Sequence, residues 1–114
     1  MEPDTALLDD LLKRILRVTK PLKVILFGSA GRGEMESESD LDVLIVVRNG
    51  LDARRISRRI YRNLIGFGAA VDVVVATQRD IELYGDNFSL VYYPALHEGR
   101  EIYVAPGRRA RRRI

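Results

Sequence analysis

No cysteine occurs in the chain. That excludes disulfides, zinc–thiolate sites and thiol catalysis, and it fits an intracellular, cytoplasmic protein. No apolar run approaches the roughly 18 residues that a membrane-crossing helix needs. The N-terminus begins acidic and passes straight into a helical pattern, so no signal peptide is expected. Histidine occurs once, as His97 among Tyr92, Tyr93, Leu96 and Glu98, and it reads as a surface or packed residue rather than a ligand or base. What remains, 46% hydrophobic and 31% charged residues, is the balance of an ordinary globular protein. The 114 residues suit one domain, expected over residues 1–105, with 106–114 as a basic tail too poor in apolar residues to fold.

The net charge of +3 conceals a strong separation of charge. Acidic residues gather between Glu34 and Asp42, and basic ones between Arg54 and Arg62 and in the last seven residues. Sixteen of the 19 basic residues are arginine, a bias shared by thermophiles and GC-rich genomes.

Periodicity gives the elements. Leu7, Leu8, Leu11, Leu12, Ile15 and Leu16 repeat at helical spacing and predict an amphipathic helix over 4–19. Branched apolar runs predict strands over 23–27, 41–47 and 69–76, the second buried on both faces and the third also buried. Ile56, Ile60 and Leu64 predict a helix over 52–65. A short helix opening at Thr77 or Gln78 and running to Leu83, a helix over 88–98 and a short closing strand over 101–104 complete the reading, although Pro94 sits awkwardly in the last helix. The main order is helix, strand, strand, helix, strand, helix, with two helices packing on a small mixed sheet. An apolar C-terminal segment also suits a homodimer or a partner interface. Tyr92, Tyr93, Phe88 and Leu96 would lie in the core or in that interface.

The chemistry gathers around two places. Gly28-Ser29-Ala30-Gly31-Arg32-Gly33 follows a strand directly, and such a small-residue turn lets backbone N–H groups approach an anion. It is not a Walker loop, because Glu34-Met35 stand where Lys-Ser/Thr would be, and the G-x-G-x-x-G order of a dinucleotide fold is absent. A purely structural glycine turn explains the loop equally well.

Asp40 and Asp42 open the next strand two positions apart, and so project from one face. An isolated pair of this kind is more often a turn cap plus an ion pair. Asp72, alone among valines in the third strand, changes that balance: a buried aspartate is costly unless paired or metal-bound, and strand neighbours would bring all three together. Three oxygen-donor groups beside a phosphate-holding turn suit Mg²⁺. Gly28 and Ser29 would hold the phosphates, while Asp40 and Asp42 would hold two metal ions. Asp72 would bind the catalytic ion and help deprotonate an attacking hydroxyl, in an in-line phosphoryl displacement.

Gly28-Ser29, ten intervening residues and then Asp40-Leu41-Asp42 resemble the signature of the polymerase-beta-like nucleotidyltransferase superfamily. Arg32-Gly33-Glu34 followed by Ser39-Asp40 resembles its minimal nucleotidyltransferase branch, over about residues 5–104; Gly31 departs from it, where alanine is expected. The resemblance implies the nucleotidyltransferase fold, an α/β (α+β) domain with a small mixed sheet. It further implies a Mg²⁺-dependent transfer of AMP from ATP to a tyrosine hydroxyl of a helical HEPN toxin, which would silence that toxin's ribonuclease. In this reading Asp40, Asp42 and Asp72 are the catalytic and metal-binding residues, and Gly28 and Ser29 hold the nucleotide. Arg32 would touch the triphosphate or pair with Glu34 or an aspartate. A non-catalytic antitoxin of the same fold, which neutralises its toxin by binding, is one alternative, and a basic nucleic-acid-binding protein is another. The larger relatives' further acceptor-binding domain is absent from this sequence, which favours a protein acceptor.

Arg55, Arg58, Arg59 and Arg62 share one helix face. They form a solvated face, or contact an acidic partner or nucleic acid. Only Tyr61 interleaves them, which disfavours a specific RNA reader.

Overall fold

The computed structural model describes residues 5–28, 41–87, 90 and 92–106. The expected basic tail falls almost wholly outside them. Helix α1 (Thr5–Leu16) buries Leu11 and Ile15, one turn apart, and packs Leu7, Leu8 and Leu12 partly. It stops short of the predicted residue 19. Val18 N–H bonds back to the Ile15 carbonyl in a tightened last turn, and Pro21 disfavours helical backbone at Lys20.

Strands β1 (Lys23–Phe27) and β2 (Leu41–Val47) have the predicted bounds. They pair antiparallel, with Phe27 opposite Asp42 and Lys23 opposite Val46. Helix α2 (Ala53–Asn63) is capped by Asp52, whose carboxylate accepts from Arg55 N–H at 3.2 Å, and it turns Ile56 and Ile60 inward. The chain then returns as β3 (Val71–Thr77), parallel to β2. Thr77 caps α3 (Gln78–Tyr84) in a reciprocal pair with Asp80. Asn49 Oδ1 accepts from Arg79 N–H at 2.8 Å and ties the end of β2 to the same turn.

The last described helix, α4 (Tyr92–Glu98), carries Pro94 as its third residue. N–H groups in the first turn have no intrahelical acceptor, so the proline interrupts nothing there. Gly99 then lets the chain swing into β4 (Arg100–Val104): a Cβ at this position would strike the Ala95 carbonyl oxygen and Ile25 Cγ2. The four strands run β3-β2-β1-β4, a mixed sheet.

Helices pack on both faces of the sheet. On one face α1 and α2 press Leu11, Ile15, Ile56 and Ile60 onto Val24, Leu26, Val43 and Ile45. On the other, Ala95 of α4 is buried and Ile81 of α3 is half-buried against Ile25, Phe27, Leu44 and Val46. Central β2 is therefore buried throughout except at Asp42, as expected. Strand β3, expected to be buried, is instead a partly buried edge strand with Asp72 exposed. Its backbone is partly protected, because Val73 N–H donates to the Tyr61 hydroxyl at 2.8 Å.

Arg14 joins α1 to the end of α2. Its guanidinium donates to the carbonyls of Asn63 at 2.8 Å and Ile65 at 3.0 Å, pairs with Asp10 at 3.2 Å and lies 5.5 Å from the Phe67 ring centre. Arg14→Ala is expected to lower stability by about 2 kcal/mol, measured by chemical denaturation, since charged hydrogen bonds to otherwise unpaired helix-end carbonyls are lost.

Candidate functional site

The site lies at one end of the sheet, where β1 stops and β2 and β3 start. Alternation along β2 puts Asp42 on the same face as Leu44 and Val46, the face covered by α3 and α4. Asp72 shares that face with Val74 and Ala76. The parallel register sets Asp42 directly beside Asp72. Neighbouring strands lie about 4.8 Å apart, so two carboxylates open the sheet side by side. Asp42 is half-buried and Asp72 exposed. The burial cost expected for Asp72 therefore does not arise, because β3 is an edge strand. Two carboxylates held side by side in register favour a cation between them.

Gly28 completes the described part. It immediately follows β1, with a φ of +69°, in the region that favours glycine. A Cβ on it would collide with Asp42 Oδ2. The bare backbone at Gly28 therefore lets the Asp42 carboxylate come down against the turn. That approach ties the start of the glycine segment to Asp42.

Of the residues expected from sequence, Gly28, Asp42 and Asp72 come together here. Ser29, Arg32 and Asp40 lie outside the described residues. Among the described residues no cluster of three histidine, cysteine or carboxylate groups forms. The oxygen-only donor pair that is present, adjacent and on one face, fits a hard divalent cation such as Mg²⁺.

His97 is exposed and stacks on Tyr93 with ring centres 4.1 Å apart, in keeping with a packed surface residue. Burial pushes the Tyr92 phenol above its ordinary value, with Asp80 and Tyr84 adding to the shift, as suits a partly packed tyrosine. Sequence reading missed one tertiary grouping: Lys20 and Arg48 line a cleft with Arg59 at the other end of the sheet. They come from three separate segments, and no local pattern links them. No helix among the described residues is long and apolar enough to cross a membrane.

Comparison with known proteins agrees with this architecture. Two proteins of Methanocaldococcus jannaschii that carry the provisional name of protein adenylyltransferase are similar in sequence. One is 32% identical over 82 residues, covering 71% of this chain and 77% of the relative. The other is 29% identical over 96 residues, covering 74% of this chain and 65% of the relative. The fold is similar to that of a toxin–antitoxin crystallised with AMP-PNP, at a TM-score of 0.61 and 18% identity over 86% of this chain and 73% of the other. It is also similar to a spectinomycin adenyltransferase from Enterococcus faecialis with ATP and spectinomycin, at a TM-score of 0.70 and 15% identity over 95% of this chain and 59% of the other. Residues 8–96 match the nucleotidyltransferase domain, and the chain belongs to that family of enzymes.

Proposed function

We propose that this nucleotidyltransferase works in the cytoplasm as an antitoxin, transferring AMP from ATP to a tyrosine hydroxyl of a cognate HEPN toxin with the help of Mg²⁺. The observation that carries the reading is the in-register pair Asp42 and Asp72 beside the bare backbone of Gly28. Asp40, next to Asp42 in the motif, would add the third carboxylate, and Ser29 and Arg32 would hold phosphates.

Bound Mg²⁺ would neutralise the triphosphate and make the α-phosphorus more electrophilic. The chain's own groups do the rest. Gly28 and Ser29 hold the β- and γ-phosphates so that the pyrophosphate leaves in line with the attacking oxygen. Asp72, the most exposed of the described site groups, takes the proton from the tyrosine hydroxyl. The tyrosine oxygen forms a bond to the α-phosphorus, the bond from that phosphorus to the bridging oxygen of pyrophosphate breaks, and the electron pair leaves with pyrophosphate. Support for a protein acceptor comes from the relatives named as protein adenylyltransferases, and support for a toxin comes from the toxin–antitoxin fold likeness.

The test uses the full chain, Mg²⁺ and the product of the adjacent gene. Label from ATP marked at the α-phosphate should appear on that partner, whereas label at the γ-phosphate should not. Chelation of divalent ions should abolish the transfer. A stable complex with no α-label would refute transfer to that partner and leave an antitoxin that acts by binding.

A further inference from the structure

At the end of the sheet opposite the carboxylates, the segment after α1, the turn after β2 and the first turns of α2 enclose an open cleft of about 310 Å³. Val18, Leu51 and Ile56 supply its apolar lining, and Lys20, Arg48 and Arg59 its charge. The three cations are exposed, and none forms an ion pair among the described residues. The nearest acid in sequence, Asp52, is engaged in capping α2. Beyond the cleft the charge continues along α2, where Arg54, Arg55, Arg58 and Arg62 are also exposed and unpaired among the described residues. Like charges one helical turn apart weaken a helix by a few tenths of a kcal/mol per pair. The chain thus carries a concentration of positive charge that its own described acids do not compensate.

We propose that this cleft docks an acidic segment of a partner protein that also inserts an apolar side chain. Charge complementarity selects carboxylates for the rim, and guanidinium groups suit them through paired hydrogen bonds. The apolar lining selects the anchor. Nucleic acid fits less well: no aromatic lines the cleft to stack a base, and phosphates alone have no use for an apolar floor. The six steps along the chain from Asp42 to Arg48 place the cleft about 20 Å from the carboxylate pair, at about 3.3 Å per strand residue. The cleft therefore does not overlap the carboxylate site, and the proposal stands whether or not the chain transfers AMP.

The test titrates the isotope-labelled full chain with a short synthetic glutamate peptide carrying spaced leucines, followed by amide NMR. Controls are the same peptide with glycine for leucine and a uridine oligonucleotide of equal charge. Saturable shifts are expected at Val18, Thr19, Leu51 and Ile56. Arg48→Glu with Arg59→Glu should weaken binding by about tenfold or more, through two reversed charges at an exposed site. Arg54→Glu, outside the cleft, should cost well under that. Thermal melts check that these surface variants stay folded. Four outcomes would overturn the proposal: no saturable binding, equal binding of the glycine peptide, an equal loss with Arg54→Glu, or tighter binding of the oligonucleotide through the same residues.

Discussion

Asp72→Asn is expected to reduce nucleotidyl transfer by about 10³-fold, the usual loss when a positioned general base is removed. The same change should slightly stabilise the protein in the absence of divalent ions. Asp72 stands directly beside Asp42 across the parallel β2–β3 pair, so asparagine removes a like-charge repulsion while keeping the shape. Such directly opposed pairs are worth roughly 0.5 kcal/mol, or about 3 °C in melting temperature for a domain of this size. Adding Mg²⁺ should raise the melting temperature of the wild type more than that of the variant, because in the proposed mechanism the carboxylate pair holds the ion. Gain of stability with loss of activity is the mark of a group retained for chemistry. Differential scanning fluorimetry with and without Mg²⁺, beside the transfer assay, checks both halves. Full activity in the variant would remove Asp72 from the mechanism, and lower stability without Mg²⁺ would mean that the pair is not repulsive.

The sequence made much of this site readable because its parts lie at element boundaries, where local chemistry is informative. β1 and β2 have the bounds that their apolar runs predict, which puts Gly28 and Asp42 at strand ends. The parallel register makes β3 the neighbour of β2 and brings Asp72 beside Asp42. Ile56 and Ile60, whose spacing predicts the helix α2 between β2 and β3, are both buried. What was not legible depends on sheet order. A run of valines reads the same in an edge strand as in a central one, and only the order β3-β2-β1-β4 exposes Asp72. Arg14 gave no sign that it would cap α2, because its carbonyl partners lie 49 and 51 residues away. The cleft cations Lys20 and Arg48 escaped for the same reason, whereas the arginines of α2 advertised themselves by helical spacing. Pro94 misled in the opposite direction: its penalty belongs to helix interiors, and it sits in a first turn.

Gly28→Ala should damage the site from the backbone side, and its signature differs from that of Asp72→Asn because stability and activity fall together. A φ of +69° costs an alanine about 1 kcal/mol, and the collision of its Cβ with Asp42 Oδ2 adds to this, for a total of about 2 kcal/mol. Relief requires Asp42 or the turn to move by a fraction of an ångström to an ångström, and misplacement on that scale lowers catalysis by about 10²-fold. The two contributions separate in a double-mutant cycle. In an Asp42→Ala background the collision is gone, so Gly28→Ala should cost only the backbone term, about 1 kcal/mol. Chemical denaturation of the four proteins measures the coupling. An equal cost in both backgrounds would show that Gly28 serves only the turn. A smaller cost without the Asp42 carboxylate would establish that glycine is needed here to let that carboxylate approach the turn after β1.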